Sequence, residues 1–146
     1  REWCFGSFDG GYDGELFDGV LPRIFTETGN HHTDEFPPDE VIANAIFEVD
    51  TAGWAEPWEK LSGRIMDGFT DIAKESEAKG AKNIVIVSHG MTIGTFVKLA
   101  HPELPRPHGL DNGSVTHLSF EDGKFTIGKV GDMSYREIGS EKLAKK

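Results

Sequence analysis

The sequence predicts an α/β fold with three layers, in which helices flank a mainly parallel sheet. Three consecutive segments lead to this prediction. Apolar residues first recur at helical spacing, as one face of an amphipathic helix: Trp58, Leu61, Ile65, Phe69 and Ile72. Residues Asn83–Ser88 then predict a strand, and the continuous β-branched run within them is typical of burial on both faces of a parallel sheet. A second helix is predicted over Met91–Leu99, and this alternation of elements characterises α/β proteins.

The boundaries of these elements follow from proline and glycine. Pro57 can begin the first helix and Gly80 can end it, whereas Pro102 and the prolines after it prevent a long continuation of the second. Before the first helix, residues 1–39 are rich in glycine and aromatic residues and show no regular period. We expect this zone to be a long, ordered loop with short helical pieces, anchored to a core by its aromatic side chains.

The last third of the sequence predicts an antiparallel hairpin. Residues Val115–Phe120 and Lys124–Val130 alternate around the turn at Glu121-Asp122-Gly123. Asn112-Gly113 predicts a further turn leading into the hairpin. We expect residues 1–139 to belong to a single domain and residues 140–146 to be a frayed tail.

Composition restricts the class of partner. The 146 residues include 15 Lys and Arg against 25 Asp and Glu, a net charge of −10. This acidic balance argues against a nucleic acid or a membrane surface, because both are polyanionic. No apolar run approaches the roughly 20 residues that a membrane span needs. With one cysteine, Cys4, and no signal peptide, a cytoplasmic location is expected.

The sharpest candidate site is the junction of the predicted strand and second helix, at His89-Gly90-Met91. Ligands of α/β proteins bind beyond the carboxyl ends of strands. The N–H groups that begin a helix favour an anion such as phosphate, and Gly90 would let the backbone approach it closely. An imidazole there could donate a hydrogen bond to a phosphoryl oxygen. The alternative is a structural histidine bonded to a neighbouring loop.

Other polar residues are weaker candidates. Glu2 is a surface acid unless it lies in a partly closed pocket beside a phosphate, where it could serve as a general acid or base. His31-His32 could suggest a metal site, but adjacent histidines share no face in regular structure, and a solvated loop is the preferred interpretation. His101, His108 and His117 are expected to be structural. No metal or cofactor is expected.

Two motifs, taken together, resemble the histidine phosphatase superfamily, which includes phosphoglycerate mutases and phosphatases. They are Glu2-x-x-Phe5-Gly6-x-Phe8-x-Gly10 and, much later, Val87-Ser88-His89-Gly90-Met91-Thr92-Ile93. Residues Leu110–Thr116 are similar to the turn and strand that follow in that family. The resemblance implies that His89 helps to hold the phosphoryl oxygens, Glu2 protonates the leaving group, and Gly90 and Met91 provide backbone contacts.

The sequence also departs from the family. The nucleophilic histidine of the family lies in an Arg-His-Gly motif, and the two His-Gly pairs here, His89-Gly90 and His108-Gly109, follow serine and proline. We therefore expect a C-terminal part that lacks its first strand or strands and is inactive alone. When whole, it is expected to hydrolyse phosphate monoesters through a phosphohistidine.

The choice between phosphatase and mutase depends on two positions. Mutases of the family carry a lysine where this sequence has Asp13, and paired arginines where Arg23 stands alone. A phosphatase is therefore preferred. The alternatives are a mutase, a non-catalytic anion-binding or interaction module, and an α/β hydrolase-like enzyme with His89 as base.

The expected partners follow from this interpretation. The ligand would be a small phosphate ester. A sheet that lacks an interior strand exposes an apolar edge, so the chain should associate with itself or with its missing N-terminal piece.

Overall fold

The computed structural model describes residues 3, 22, 25–26, 29, 37–107 and 109–145. It divides into two compact units, residues 1–63 and 64–146. The helices and strands of the described residues are α1 (Asp39–Val49), α2 (Trp58–Ala78), α3 (Gly90–Ala100), β1 (Leu118–Glu121), β2 (Lys124–Ile127) and α4 (Ser134–Ala144). The loop predicted over residues 1–39 lies almost entirely outside the described residues.

Helix α1 forms because one of its faces is apolar. Ile42, Ala43, Ala45 and Ile46 are buried on that face. Asp39 and Glu40 occupy its first turn, where negative charge is favoured by the helix dipole. No element was predicted here, although the isoleucines and alanines recur at helical spacing.

A single carboxylate organises the turn from α1 to α2. Asp50 Oδ1 accepts a hydrogen bond from the Ala52 N–H (3.0 Å), and Asp50 Oδ2 accepts from Trp54 (2.5 Å) and Ala55 (2.6 Å). The first N–H of α2 donates to the Asn44 side-chain oxygen of α1 at 2.9 Å. The bond to Asn44 satisfies an amide that α2 cannot pair for itself, and the bonds to Asp50 satisfy amides of the turn.

The prediction for α2 is confirmed. The helix begins directly after Pro57 and ends two residues before Gly80, whose φ of +69° suits glycine. On the predicted apolar face Leu61 and Ile65 are buried, whereas Ile72 near the end is exposed.

The core of the second unit is an aromatic cluster centred on Phe96 of α3. Phe96 is 1% exposed and stacks on Phe69 of α2, with ring centroids 4.0 Å apart. Its ring meets Phe125 of β2 edge-on at 4.9 Å, and Phe125 lies 4.7 Å from Phe120 of β1. The cluster therefore joins two helices and the hairpin through ring contacts.

The hairpin is confirmed, with strands shorter than predicted. Strands β1 and β2 pair antiparallel, with Leu118 opposite Ile127. Asp122 (φ 51°) and Gly123 (φ 77°) form the two-residue turn, and positive φ at both positions is typical of a type I′ turn. An isolated bridge between Val115 and Asp132 extends the pairing.

The clearest difference from the predictions concerns residues Asn83–Ser88. The structure assigns no strand there, and the predicted burial on both faces is wrong. Ile84 and Ile86 are 47% and 39% exposed, whereas Val85 and Val87 are 89% and 92% exposed. This alternation has the period of an extended chain with one face partly covered. No described residue pairs with the backbone of the segment, and the sheet of the described residues is the antiparallel pair β1–β2.

The described residues end in a further helix. Helix α4 runs from Ser134 to Ala144, through the residues predicted to form a frayed tail from Ser140. None of the residues of α4 is buried. The sequence therefore lacks the regular apolar spacing by which a helix is predicted. No helix among the described residues is both long enough and apolar enough to cross a bilayer.

Asp132 connects the hairpin to α4. Its carboxylate, which is almost fully buried, accepts hydrogen bonds from the Lys129 ammonium (2.8 Å) and the Ser134 N–H (2.9 Å). His117 Nε2 lies 3.7 Å from the same carboxylate. The hydrogen bond from Lys129, followed by that from Ser134, holds the pKa of Asp132 well below its usual range.

We expect Asp132→Asn to lower the free energy of unfolding at pH 7 and to flatten its dependence on acid. A depressed folded-state pKa stabilises the protein above the usual aspartate range, and this contribution is lost as pH falls below about 4. Urea unfolding of both proteins between pH 2 and 7 measures this. Asp67→Asn, at an exposed position of α2, is the control. Parallel pH profiles for wild type and Asp132→Asn would contradict the assignment.

Candidate functional site

The candidate site is the amino terminus of α3. His89 is the N-cap, with extended backbone angles (φ −108°, ψ 155°), and its carbonyl accepts the Ile93 N–H at 3.0 Å. No side chain caps this helix end, and its first turn contains no acidic residue. The N–H groups of the first turn have no carbonyl partner within a helix, and together with the dipole they favour an anion.

The predicted residues His89, Gly90 and Met91 are brought together by this helix start. His89 and Gly90 are exposed, and Met91 is partly exposed. A Cβ at Gly90 would lie 3.7 Å from the Leu110 Cβ, which is ordinary van der Waals contact. Packing within the protein therefore does not require glycine at this position, and its small size leaves room for an approaching ligand.

The body of α3 is held firmly below this amino terminus. Thr95 is fully buried, and its hydroxyl donates to the Met91 carbonyl at 2.9 Å. A Cβ at Gly94 would lie only 3.0 Å from the Pro107 carbonyl oxygen, so the helix and the proline segment approach each other closely. Sequence reasoning missed the role of Gly94, although a glycine inside a helical pattern was the available signal.

The carboxyl end of α3 is fixed by polar contacts. The Lys98 ammonium donates to the carbonyls of Pro102 and Leu104. His101 contacts Glu103 Oε1 at 2.7 Å and, through Nε2, the Phe125 carbonyl of β2 at 2.9 Å. The contact with Glu103, followed by that with Phe125, raises the pKa of His101. His101 thus links the helix to the hairpin, the structural role predicted for it.

The other histidines divide between the described and undescribed parts of the chain. The His117 ring lies 5.6 Å from the Tyr135 ring and close to Asp132, as expected of a structural residue. His31, His32 and His108 lie outside the described residues. Within the described part of the chain, no three histidine, cysteine or carboxylate side chains gather to hold a metal ion.

Glu2, the second predicted catalytic residue, also lies outside the described residues. The same is true of Asp13 and Arg23, on which the distinction between phosphatase and mutase depends. The structure therefore places His89, Gly90 and Met91 together at the start of α3 and defines no distance from them to Glu2.

Comparison with known families identifies the family of the chain. The profile of the histidine phosphatase superfamily (branch 1) matches residues 1–133, which include the Glu2 motif, the His89 motif and the hairpin. The chain belongs to the histidine phosphatase superfamily. The family resemblance predicted from the motifs is confirmed.

A solved structure supports the fold of this superfamily member. The chain is similar to the crystal structure of phosphoglycerate mutase from Bacillus anthracis str. Sterne, with 30% identity and a TM-score of 0.82. The likeness covers 96% of this chain and 60% of that chain, so the chain spans about three fifths of the mutase. The predicted α/β class and phosphoglycerate mutase-like fold are confirmed. No curated protein matches the chain.

Proposed function

We propose that the chain binds the phosphoryl group of a small phosphate monoester at the amino terminus of α3, as part of a phosphatase that acts through a phosphohistidine. The observation that supports this most directly is His89 as N-cap of a helix with no acidic residue in its first turn. Membership of the histidine phosphatase superfamily supports phosphoryl chemistry at this site.

Each residue has a separate task in this proposal. The His89 ring and the N–H groups of Gly90 and Met91 hold the phosphoryl oxygens, and charge-assisted hydrogen bonds of this kind are the strongest available. When the ester P–O bond breaks, Glu2 gives its proton to the leaving oxygen. The phosphorus forms its new bond to a nucleophilic histidine, and this sequence contains no Arg-His-Gly motif to provide one. We therefore expect binding, and no turnover, from the chain alone.

Hydrolysis is preferred over mutase action because of Asp13. Mutases of the family carry a lysine at this position, and a carboxylate there would repel the second phosphate or carboxylate of a substrate that a mutase must hold. Mutase-type phosphoryl transfer is the second candidate, since the chain is 30% identical to a phosphoglycerate mutase over 96% of the chain's own length. Asp13→Lys distinguishes them. If binding of 3-phosphoglycerate strengthens while binding of inorganic phosphate is unchanged, Asp13 excludes a second anionic group.

Binding can be tested by thermal unfolding with inorganic phosphate or vanadate. We expect the anion to raise the melting temperature of the wild type and to raise that of His89→Ala much less. At a ligand concentration of one hundred times Kd, the stabilisation is about 2.7 kcal/mol. Sodium chloride at equal ionic strength corrects for screening.

His117→Ala is the matched control, because it removes an imidazole far along the chain from the site. Its melting temperature should still rise with phosphate by the wild-type amount, whatever its own stability. An equal rise in melting temperature with phosphate for wild type and His89→Ala would show that His89 does not bind the anion. Release of phosphate from an ester by the chain alone would contradict the need for an additional nucleophile.

A further inference from the structure

Leu110 connects the start of α3 to a distant part of the second unit. On one side it lies against Gly90, where an added Cβ would be 3.7 Å from the Leu110 Cβ and 3.8 Å from its carbonyl oxygen. On the other side it packs on Gly131, where an added Cβ would be 3.1 Å from Leu110 Cδ2. The residue therefore lies between two glycines that are far apart in sequence.

The contact with Gly131 is the closer of the two. Carbon atoms in ordinary contact are about 3.5–4.0 Å apart, so a side chain at Gly131 would displace Leu110, whereas one at Gly90 would meet it at a normal distance. Gly131 also has a φ of +67°, a conformation that suits glycine. Leu110 can therefore approach the backbone at Gly131 because no side chain is there.

Gly131 belongs to the base of the hairpin, which is held by hydrogen bonds. Val115 and Asp132 exchange both of their backbone hydrogen bonds, at 2.9 and 2.8 Å. The Gly131 N–H donates to the Thr116 hydroxyl at 3.3 Å. The surface on which Leu110 packs is thus fixed by the pairing of the two arms of the hairpin.

The turn that follows Leu110 attaches its backbone to the same base. The Asp111 carbonyl accepts the Ser114 N–H at 3.0 Å, and the residue after Ser114 enters the hairpin. The Asn112 carbonyl accepts a hydrogen bond from the Arg136 guanidinium of α4 at 3.3 Å. Both the side chain and the backbone of Leu110 are therefore tied to the hairpin base, while its other contact is the start of α3.

We propose that Leu110 is a positioning residue, which transmits the position of the hairpin base to the amino terminus of α3 and thereby sets its affinity for a phosphoryl group. The effect on affinity rests on the function proposed above. Hydrogen bonds from the Gly90 and Met91 N–H groups to an oxyanion weaken when distance or angle leaves a narrow range. A displacement of Leu110 reaches these groups because close-packed interiors transmit strain.

Alanine substitutions at two glycines of matched conformation test the transmission. Gly131→Ala forces Leu110 to move and should shift the amide signals of Gly90 and Met91 in proton–nitrogen NMR spectra of the ligand-free chain. Gly80→Ala imposes similar backbone strain, since its φ is +69°, but no described residue lies within 4 Å of the added Cβ. It should leave both signals in place. Unshifted signals in Gly131→Ala would overturn the proposal.

Leu110→Ala separates transmission through this side chain from any other route. Without the leucine side chain, the Cβ added at Gly131 has no group to displace. Gly131→Ala should then no longer shift the Gly90 and Met91 signals, which is a non-additive result in a double-mutant cycle. A shift that persists in the Leu110→Ala background would overturn the proposal. Far-ultraviolet circular dichroism checks that each variant is folded.

Titration with inorganic phosphate, followed at the same amide signals, tests the effect on the site. Leu110→Ala should raise the phosphate dissociation constant about twofold to thirtyfold, the range of couplings carried through packed side chains. Leu110→Met conserves the volume of the side chain and should retain the wild-type value. These two variants need no change at Gly131, so the comparison holds if Gly131→Ala fails to fold.

The outcomes distinguish this proposal from the proposed function. A Leu110→Ala chain that is less stable but binds phosphate as tightly as the wild type would assign Leu110 to the core alone and overturn the proposal. If the wild type binds no phosphate, the proposed function fails, and the signals of the ligand-free chain still decide whether Leu110 positions α3.

Discussion

Replacing Phe96 with alanine should lower the free energy of unfolding by about 3–5 kcal/mol. The ring is 1% exposed and contacts Phe69 on one side and Phe125 on another, so truncation leaves a cavity between two helices and the hairpin. Neighbouring aromatic rings are rigid and fill such a cavity only in part. Urea unfolding followed by circular dichroism measures the change.

Phe96→Leu is the matched control for this prediction. It keeps a large apolar side chain and loses mainly the ring contacts, so it should destabilise the protein less than alanine does. Phe120→Ala removes a partly exposed ring at the rim of the same cluster and should also have the smaller effect. A loss below about 1 kcal/mol for Phe96→Ala would show that the cluster is not a packed core.

Ile42→Ala should destabilise the first unit by about 2–5 kcal/mol. Ile42 is fully buried at 0% exposure on the apolar face of α1. Removing its three outer carbons loses transfer free energy and leaves a void. Ile42→Val removes one carbon and should lower the free energy of unfolding by about 0.5–1.5 kcal/mol.

Phe47→Ala, on the same helix, is the surface control for this series. Phe47 is larger than Ile42 but is exposed, so its truncation should change stability by no more than about 0.5 kcal/mol. Thermal and urea unfolding of the three variants measure the loss of unfolding free energy in each, and the loss should be largest for Ile42→Ala. An equal loss for Ile42→Ala and Phe47→Ala would mean that the burial of α1 contributes little to stability.

Apolar spacing, proline and glycine were enough to predict α2, α3 and the hairpin from the sequence. Helix α2 has its apolar spacing, a proline at one end and Gly80 at the other. The hairpin depends on Asp122-Gly123, a pair that tolerates positive φ at both positions. Helix α3 is bounded by Gly90 and by the prolines that follow it. In each case the signal and the structure lie within a few residues of each other.

Tertiary context explains where the structure differs from the sequence predictions. A β-branched run predicts a strand, but whether the strand is buried depends on neighbours that the run does not specify. Residues 84–87 therefore have the predicted apolar character without the predicted burial. Helix α4 was not predicted, because it buries no residue and its sequence carries no clear apolar face.

The candidate site was predictable in the part that is contiguous in sequence. His89, Gly90 and Met91 follow one another, so identifying the start of α3 was enough to bring them together. The relation between His89 and Glu2 depends on the path of the whole chain, and spacing alone does not provide it. Family motifs joined the two residues where physical reasoning from each residue left several roles open.

The Asp50 carboxylate has a consequence for the order in which the chain assembles. Its three bonds to Ala52, Trp54 and Ala55 close loops of at most five residues, whereas His101 reaches Phe125 across 24. Short loops close with little loss of chain entropy and on the fastest timescales of folding. The turn between α1 and α2 can therefore form early, before the distant aromatic contacts are made.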